Sequence, residues 1–346
     1  MTPQSTPPRL PLTGLAAAAA LACGLLLSAC GGGGGDTPAA STVAPTSQPD
    51  ATADAANASS TGEGTASAID SVIDTTSSLA LAVRQPADAP GSSRMHALSA
   101  PSDPPFTNVT VACAGGGTAT LSITGGTLAS EADGQLDAGE HYSVTYAQCT
   151  GHAGWAQLNG NVEMDVTAAD PTTSPATLAV NVTATKLALG LPSGSATLDG
   201  TATASRSVVT ANGTTTTTSH VTVPGATLVT AFNARSGTFT LSNLDATRTL
   251  TSVDGTTTAS QYDGHHTLSG TANGRTFSLN VSTTGNVNYD ASGALASGAW
   301  TVVRPDATIA TTVANGIVIM TVDDGNDGTI DHTWTFTTAQ LNAAAG

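Results

Sequence analysis

The chain has 346 residues and a formal net charge of −16, with Lys186 as its one lysine and eight scattered arginines. Nucleic-acid binding depends on clustered Lys and Arg side chains, so this composition argues against a nucleic-acid partner. It argues equally against electrostatic attraction to an anionic membrane. All twelve aromatic residues lie beyond residue 105. Because aromatic side chains supply the largest buried areas, we expect one globular domain over residues 106–346, preceded by a long segment without a core of its own.

Residues 1–29 have the pattern of a secretory signal peptide. Arg9 gives a weakly basic start, an apolar stretch runs over residues 15–27, and small residues precede Cys30. Gly24 interrupts the apolar stretch, which is too short to favour a membrane-spanning helix. We therefore expect this leader to be removed after export.

The sequence Leu27-Ser28-Ala29-Cys30 resembles the lipobox of bacterial lipoproteins. The resemblance implies cleavage before Cys30, diacylglycerol on its sulfur and acylation of the new amino terminus. Two or more acyl chains hold a protein stably in a bilayer, so we expect this protein to be attached to a membrane through its lipid anchor. Gly31 stands where aspartate would retain a lipoprotein in the inner membrane, which implies the outer membrane. The alternative is ordinary signal cleavage that leaves Cys30 as a free thiol.

Two cysteines remain after the leader and the lipidation site are set aside. Cys113 and Cys149 both lie in strand-like stretches, "TNVTVAC" and "YSVTYAQC". An exported protein is in an oxidising compartment, so we predict a disulfide between them. On the entropic model this loop closure would stabilise the fold by roughly 3–4 kcal/mol. The absence of a CxxC motif disfavours a catalytic or metal-binding role for the pair.

The segment between the cysteine and the globular domain divides into three parts. Residues 30–65 contain almost no large apolar residue and are predicted to be a lipidated, disordered tether. Residues 66–85 carry Ile69, Val72, Ile73 and Leu79 at helical spacing, which predicts an amphipathic helix that packs on the globular domain. Residues 86–105 are again rich in Pro, Ser and Asp and are predicted to be a linker.

Residues 106–346 alternate apolar and polar side chains, as in "RTFSLNV" and "HYSVTY", which predicts β-strands. Pairs of the kind found in two-residue hairpin turns separate these stretches and predict an antiparallel meander. The pairs are Asn212-Gly213, Asp254-Gly255, Asn273-Gly274 and Asn315-Gly316.

The similar stretches "LNGNV", "LDGTA" and "LSGTA" contain Gly160, Gly200 and Gly270. Gly160 and Gly200 could be turn glycines, whereas Asn273-Gly274 follows Gly270 too closely for a turn there, which favours Gly270 inside a strand. Glycine inside a strand often marks a bulge or a bend. We therefore expect an all-β fold with a curved open sheet or incomplete barrel, and the predicted helix as a filler of its concave side. A two-layer β-sandwich is the alternative.

The densest acidic stretch, "VDDGNDGTID", is similar to the calcium loops found between strands of secreted bacterial proteins. Asp323, Asp327 and Asp331 fall at the first, fifth and ninth positions of an EF-hand-like loop. Gly325 occupies the third position and Trp334 the twelfth, where ligands are expected. A polar hairpin turn is the alternative, and no other cofactor is predicted.

No catalytic residue is predicted. Glu163 and Asp165 share one side of a strand and could act as an acid–base pair, but alternation of this kind is typical of a solvated strand face. His265 and His266 point to opposite faces, and His332 is expected in the core or at its rim. The sequence has no GxSxG, HExxH or P-loop motif.

These observations favour a non-enzymatic outer-membrane lipoprotein whose body binds or supports a component of the cell envelope. A hydrophobic small molecule on the concave side of the sheet is one candidate ligand. The alternatives are a surface adhesin or matrix component, and a secreted hydrolase with an unrecognised site. The sequence does not distinguish a periplasmic from a surface-facing orientation.

Overall fold

The computed structural model describes residues 46–84, 96–97, 106–113, 115–126, 136–150, 157–191, 194–232, 235–254, 256–272 and 275–344. The predicted leader, the lipidation site Cys30 and the first part of the tether lie outside these residues. So do residues 86–95 and 98–105 of the predicted linker.

The described strands form a single antiparallel sheet in which the spatial order equals the order along the chain. One long helix, α1 (Gln48–Arg84), precedes them, and a short helix, α2 (Thr338–Ala344), follows. The fifteen strands are β1 (His96–Ala97), β2 (Val109–Ala112), β3 (Thr118–Thr124), β4 (His141–Thr150), β5 (Gln157–Asp170), β6 (Ala176–Leu191), β7 (Gly194–Ala211), β8 (Thr214–Phe232), β9 (Arg235–Val253), β10 (Thr256–Ala272), β11 (Arg275–Tyr289), β12 (Leu295–Val303), β13 (Ala307–Ala314), β14 (Ile317–Asp324) and β15 (His332–Thr337).

This arrangement confirms the predicted antiparallel meander and the open sheet. All fifteen strands belong to one hydrogen-bonded sheet, so the sandwich alternative is wrong. The hairpin turns follow from local chemistry. Asn212 and Asn315 adopt positive φ angles of 52° and 51°, as does Asp254 at 49°, which these residue types tolerate in two-residue turns. Residues 255, 273 and 274 of the other predicted turns lie outside the described residues.

A row of irregularities crosses the middle of the sheet. The pairing shifts register after Tyr146 in β4, after Ala184 in β6 and between β7 and β8 at Thr201. Bulges of this kind bend a strand and increase its twist. We call this row the crease, and its residues are Gln148, Gly160, Lys186, Gly200, Gly225, Asn243 and Gly264.

Glycines in the crease lie where a neighbouring bulge leaves no room for a side chain. A Cβ on Gly160 would come within 2.9 Å of the Leu187 Cα atom, and one on Gly200 within 2.7 Å of the Ala226 Cβ atom. Gly160 lies within β5 and Gly200 within β7, so the interpretation of these two residues as turn glycines is wrong. Gly270, for which the sequence favoured a bulge or bend, lies in β10 and pairs regularly with Phe239 and Phe277 on its two neighbouring strands, so no bulge is found there.

Helix α1 runs across the strands rather than along them. The side chain of Trp300 on β12 bonds to Ala55, and Tyr146 on β4 bonds to Thr76. The helical rise between Ala55 and Thr76 is about 32 Å. Eight strand spacings, from β12 to β4, amount to about 38 Å. The helix therefore passes about 1.4 strands per turn, and it lies against the inner face of the sheet.

The predicted boundary of the helix is wrong at its N-terminal end. The helix begins at Gln48, so residues 48–65, predicted as part of the disordered tether, are helical. Ala51 and Ala55 are fully buried there, and Asp54 forms an ion pair with Arg304. Tertiary contacts with the sheet supply the stabilisation that the composition of this segment lacks. The predicted linker also contributes β1, which pairs with Val111 and Ala112.

The C-terminal half of α1 joins the main core as predicted. Ile69, Val72, Ile73 and Leu79 are each at most 2% exposed and belong to one apolar cluster with the strands. The same cluster includes Trp300 and Tyr142 from the sheet. Helix and sheet therefore share a core, and the helix is an integral part of the globular body.

Candidate functional site

The two cysteines left over in the sequence form the predicted disulfide. Cys113 follows β2 and Cys149 lies in β4 beside the bulge at Gln148, and their Cα atoms are 5.4 Å apart. Both cysteines are buried. The disulfide ties the first strands of the sheet to the beginning of the crease.

The most distinctive cluster of charged residues lies between α1 and the sheet. Asp54 pairs with Arg304 at 3.0 Å, Asp70 pairs with Arg206 at 3.0 Å, and Asp74 also bonds to Arg206. These three carboxylates come from the helix and the arginines from the sheet or its loops; Arg304 also pairs with Asp306, two residues along the chain, at 2.8 Å. We call this cluster the ionic seam, and its members are Asp54, Glu63, Asp70, Asp74, Arg206, Arg248 and Arg304.

Burial controls the electrostatics of the ionic seam. Burial raises the pKa of Asp54 to about 6, although Arg304 acts in the opposite direction. Burial likewise raises the pKa of Glu63, against the influence of Arg248 and of a hydrogen bond from Tyr289. The pKa of Asp74 is raised for the same reason, against Arg206. The carboxyl groups are thus held close to guanidinium groups in a poorly solvated interface.

The centre of the seam contains polar groups with incomplete hydrogen bonding. Arg248 is 1% exposed, and its guanidinium nitrogens have no hydrogen-bond partner among the described residues. An Asp70 carboxylate oxygen lies 3.5 Å from its Nη1 atom. The buried hydroxyls of Ser260 and Tyr262 also have none there. Each unmet buried polar group costs about 1–3 kcal/mol. The seam therefore adds less net stability than its number of ion pairs suggests.

At Gly62 the helix lies close to the sheet. A Cβ atom at this position would collide with the Tyr262 hydroxyl and would lie 2.7 Å from the ring of His266. Tyr262 and His266 stand on either side of Gly264 in the crease of β10. Sequence reasoning missed Gly62, since a glycine in a segment rich in small residues carries no local signal.

In the acidic loop that was predicted to bind calcium, the carboxylates accept hydrogen bonds from backbone N–H groups of the loop itself. Asp323 accepts hydrogen bonds from the N–H groups of Asp327 at 3.1 Å and Gly328 at 2.9 Å. Asp331 accepts one from Asp324 at 2.8 Å. Within the described residues, no group of three or more His, Cys, Asp or Glu side chains is placed to hold a metal ion. Calcium binding stays a prediction.

Glu163 and Asp165 lie on one side of β5, as predicted, and both contact His141 on the neighbouring strand. His141 Nε2 is 2.9 Å from Glu163 and Nδ1 is 2.7 Å from Asp165. Ser143 donates its hydroxyl to Glu163 at 2.9 Å. The hydroxyl is bonded to a carboxylate rather than to the imidazole, so this geometry does not form a nucleophile–base pair. Only the strand register reveals that His141 belongs to the group.

The remaining histidines occupy the positions that alternation predicts. His265 is exposed and His266 is 3% exposed, so the two side chains point to opposite faces. His332 is half-buried at the rim of the sheet and stacks on Trp334 with ring centroids 5.2 Å apart. Its Nε2 atom lies 3.3 Å from Asp324.

Comparison of the chain with protein-family models, with curated proteins and with solved structures finds no match in any of the three. Among the described helices, none is both long enough and apolar enough to cross a membrane.

Proposed function

We propose that this protein is a lipid-anchored lipoprotein of the outer membrane that acts without catalysis, by binding or supporting another component of the cell envelope. The supporting observation is how the chain enters the fold after the predicted anchor. Thr46 donates its backbone N–H to Asp324 at 3.1 Å, and Asp54 then pairs with Arg304. The chain that follows the anchor is therefore bonded to the sheet from its first described residues.

The covalent chain sets the distance between the anchor and the body. Residues 31–45 separate Cys30 from Thr46. A fully extended chain spans at most about 3.3–3.6 Å per residue, so Thr46 lies within about 55 Å of Cys30. The end of the sheet that carries β12–β15 would face the bilayer. From there α1 crosses the strands as far as β4, so the helix connects the anchored segment to most of the sheet.

The covered inner face of the sheet argues for a macromolecular partner and against a small hydrophobic ligand. The strands that a hydrophobic ligand would contact are covered by α1, whose Ile69, Val72 and Ile73 are buried against them. Such a ligand would have to displace the helix. We therefore favour contacts with an envelope component through the outer face of the sheet.

The anchor is tested by the mass of the N-terminal peptide of the mature protein. We expect a peptide that begins at Cys30 and carries acyl chains. The variant Cys30→Ser should move the protein from the membrane to the soluble fraction, whereas Cys23→Ser, in the leader, should not. Gly31→Asp should move it to the inner membrane. An unmodified Cys30, or a leader still attached, would contradict the proposal.

A second candidate function, surface adhesin or matrix component, is supported by the outer face of the sheet. Threonine hydroxyls of neighbouring strands bond to one another there, as between Thr203 and Thr222 at 2.5 Å and between Thr218 and Thr249 at 3.5 Å. The result is a broad hydroxyl-rich surface. Protease treatment of intact cells separates the two: an adhesin is cleaved, and a periplasmic protein survives until the outer membrane is opened.

A further inference from the structure

The two free edges of the sheet differ in how they are protected against pairing with another strand. At one edge β1 has only two residues, which offers little template. At the other edge β15 pairs with β14 on one side and with no described strand on the other. Natural edges are usually guarded by Lys, Pro, a bulge or a very short strand. The sequence of β15, HTWTFT, contains neither Lys nor Pro, and its pairing with β14 is regular.

The direction of the free backbone groups follows from two hydrogen bonds at the end of β15. Thr338 donates its N–H to Gly316, on the β14 side, at 3.0 Å. Backbone groups of successive residues in an antiparallel strand point to alternate sides. Thr333, Thr335 and Thr337 therefore direct their N–H and C=O groups to the free side. Consistent with this, the N–H of Thr337 bonds to the side chain of Gln340 at 2.9 Å instead of to a strand.

We propose that β15 pairs antiparallel with β15 of a second copy of this chain, about a two-fold axis at Trp334. Residues directly opposite each other in an antiparallel pair share a face of the sheet. An axis at Trp334 places Thr333 opposite Thr335 of the second copy, with four backbone hydrogen bonds between these threonines. The same axis places His332 opposite Phe336 of the second copy, and Trp334 opposite its own equivalent.

The side chains of β15 suit this register on both faces. His332 and Trp334 already stack on the inner face, and Phe336 lies on that face too. Pairing extends them into a ladder of six aromatic rings, and cross-strand aromatic pairs stabilise a sheet. On the outer face Thr333 lies opposite Thr335 of the second copy. Beside them on β14, Ile317 and Ile319 are 49% and 47% exposed, which adds apolar surface at the same edge.

Charge and the position of the anchor also favour a second copy in this orientation. Antiparallel pairing places Asp331 of each copy at the end of the strand where the other copy has Thr337, so the two acidic loops stay apart. Asp324 contacts both Thr46 and His332, so the chain that leads to Cys30 starts beside β15. Two copies anchored in one bilayer would therefore meet at this edge at a raised local concentration. This last step alone depends on the proposed function.

Cysteine cross-linking tests the register directly. Thr333 and Thr335 are exposed, and opposed residues in a hydrogen-bonded pair have Cα atoms about 5.5 Å apart, which a disulfide spans. Two threonines with the same number would lie beyond the roughly 7 Å limit for a disulfide. A mixture of Thr333→Cys and Thr335→Cys chains should therefore give about tenfold more covalent dimer than either variant alone. Both variants carry Cys30→Ser in a solution arm at high concentration, and are anchored through Cys30 to vesicles in a second arm.

The outcomes separate this proposal from the proposed function. Selective cross-linking of the mixture in either arm supports the edge pairing. No covalent dimer in either arm, or equal yields from the mixture and the single variants, overturns it. If Cys30 proves not to be lipidated, the solution arm still decides the pairing. Unchanged melting of Thr333→Cys and Thr335→Cys shows that the variants are folded.

Discussion

The two halves of α1 are buried to a similar extent by different means. In the C-terminal half, residues 66–84, large aliphatic side chains such as Ile69 and Ile73 enter the core. In the N-terminal half, residues 48–65, the buried apolar residues are alanines. There the sheet supplies the large groups: Trp300 donates its indole N–H to the Ala55 carbonyl at 3.0 Å, and Tyr262 lies against Gly62.

This comparison shows that the large side chains that fill a helix–sheet interface can come from either the helix or the sheet. Small helical residues let the backbone approach the sheet closely, and the bulky side chains of the strands then fill the space. Conformational entropy is still overcome by burial, because the fully buried Trp300 contributes a large area to the contact. A segment without large apolar residues can thus be ordered when its partner carries them.

The largest effect is expected in the C-terminal half. Replacing Ile73, which is 2% exposed, by alanine removes buried methyl groups and leaves a cavity. We expect Ile73→Ala to lower the free energy of unfolding by about 2–5 kcal/mol, measured by chemical denaturation. Ser71→Ala, at a half-buried position on the same helix, should change it by less than about 0.5 kcal/mol. Equal effects of the two substitutions would show that the aliphatic half is not packed as described.

A smaller effect is expected where the two halves meet. Gly62→Ala adds one methyl group that would collide with Tyr262 and His266. Although alanine is the better helix former, overpacking should lower the free energy of unfolding by about 1–3 kcal/mol. A paired variant that also carries Tyr262→Phe should recover part of this loss, because it removes the hydroxyl that the methyl group meets. A gain in stability from Gly62→Ala alone would contradict the close approach.

The smallest effect concerns the pH dependence of the N-terminal half. The pKa of Asp54 is raised from 3.8 to about 6 in the folded state, so its contribution to stability is present at low pH and is lost as the pH rises through 6. Between pH 7 and pH 5 the wild-type protein should gain about 1 kcal/mol relative to Asp54→Asn, which has no carboxyl group to titrate. Chemical denaturation of both proteins at the two pH values measures this difference. An identical pH dependence would show that Asp54 is not held in a buried carboxyl site.

Features that depend on near neighbours in the sequence were predictable. Alternation identified the strands, Asn212-Gly213 and Asn315-Gly316 identified two hairpin turns, and Cys113 and Cys149 were correctly paired. A curved sheet was predicted from glycine inside a strand, but the irregular pairing lies at Gly160 and beside Gly200 and not at Gly270. Each of these signals is contained within a few neighbouring residues or, for the disulfide, in the number of cysteines that remain.

The charged contacts were not predictable in the same way. Nothing near Asp70 in the sequence indicates Arg206, and nothing near His141 indicates the two carboxylates on β5. These contacts depend on strand register and on the path of α1 across the sheet, which bring together residues far apart in the chain. The start of α1 was missed for the same reason, since Ala51 and Ala55 become core residues only beneath the side chains of the sheet.

The sequence by itself determined the all-β meander, its turns and its disulfide, because strand alternation and turn geometry are local properties of the backbone. The tertiary structure alone decided that residues 48–65 are helical, that α1 crosses the strands, and that its acidic residues contact Arg206, Arg248 and Arg304. The physical reason is that burial, close approach and charge pairing are properties of two surfaces in contact. A single stretch of chain carries only one of those surfaces.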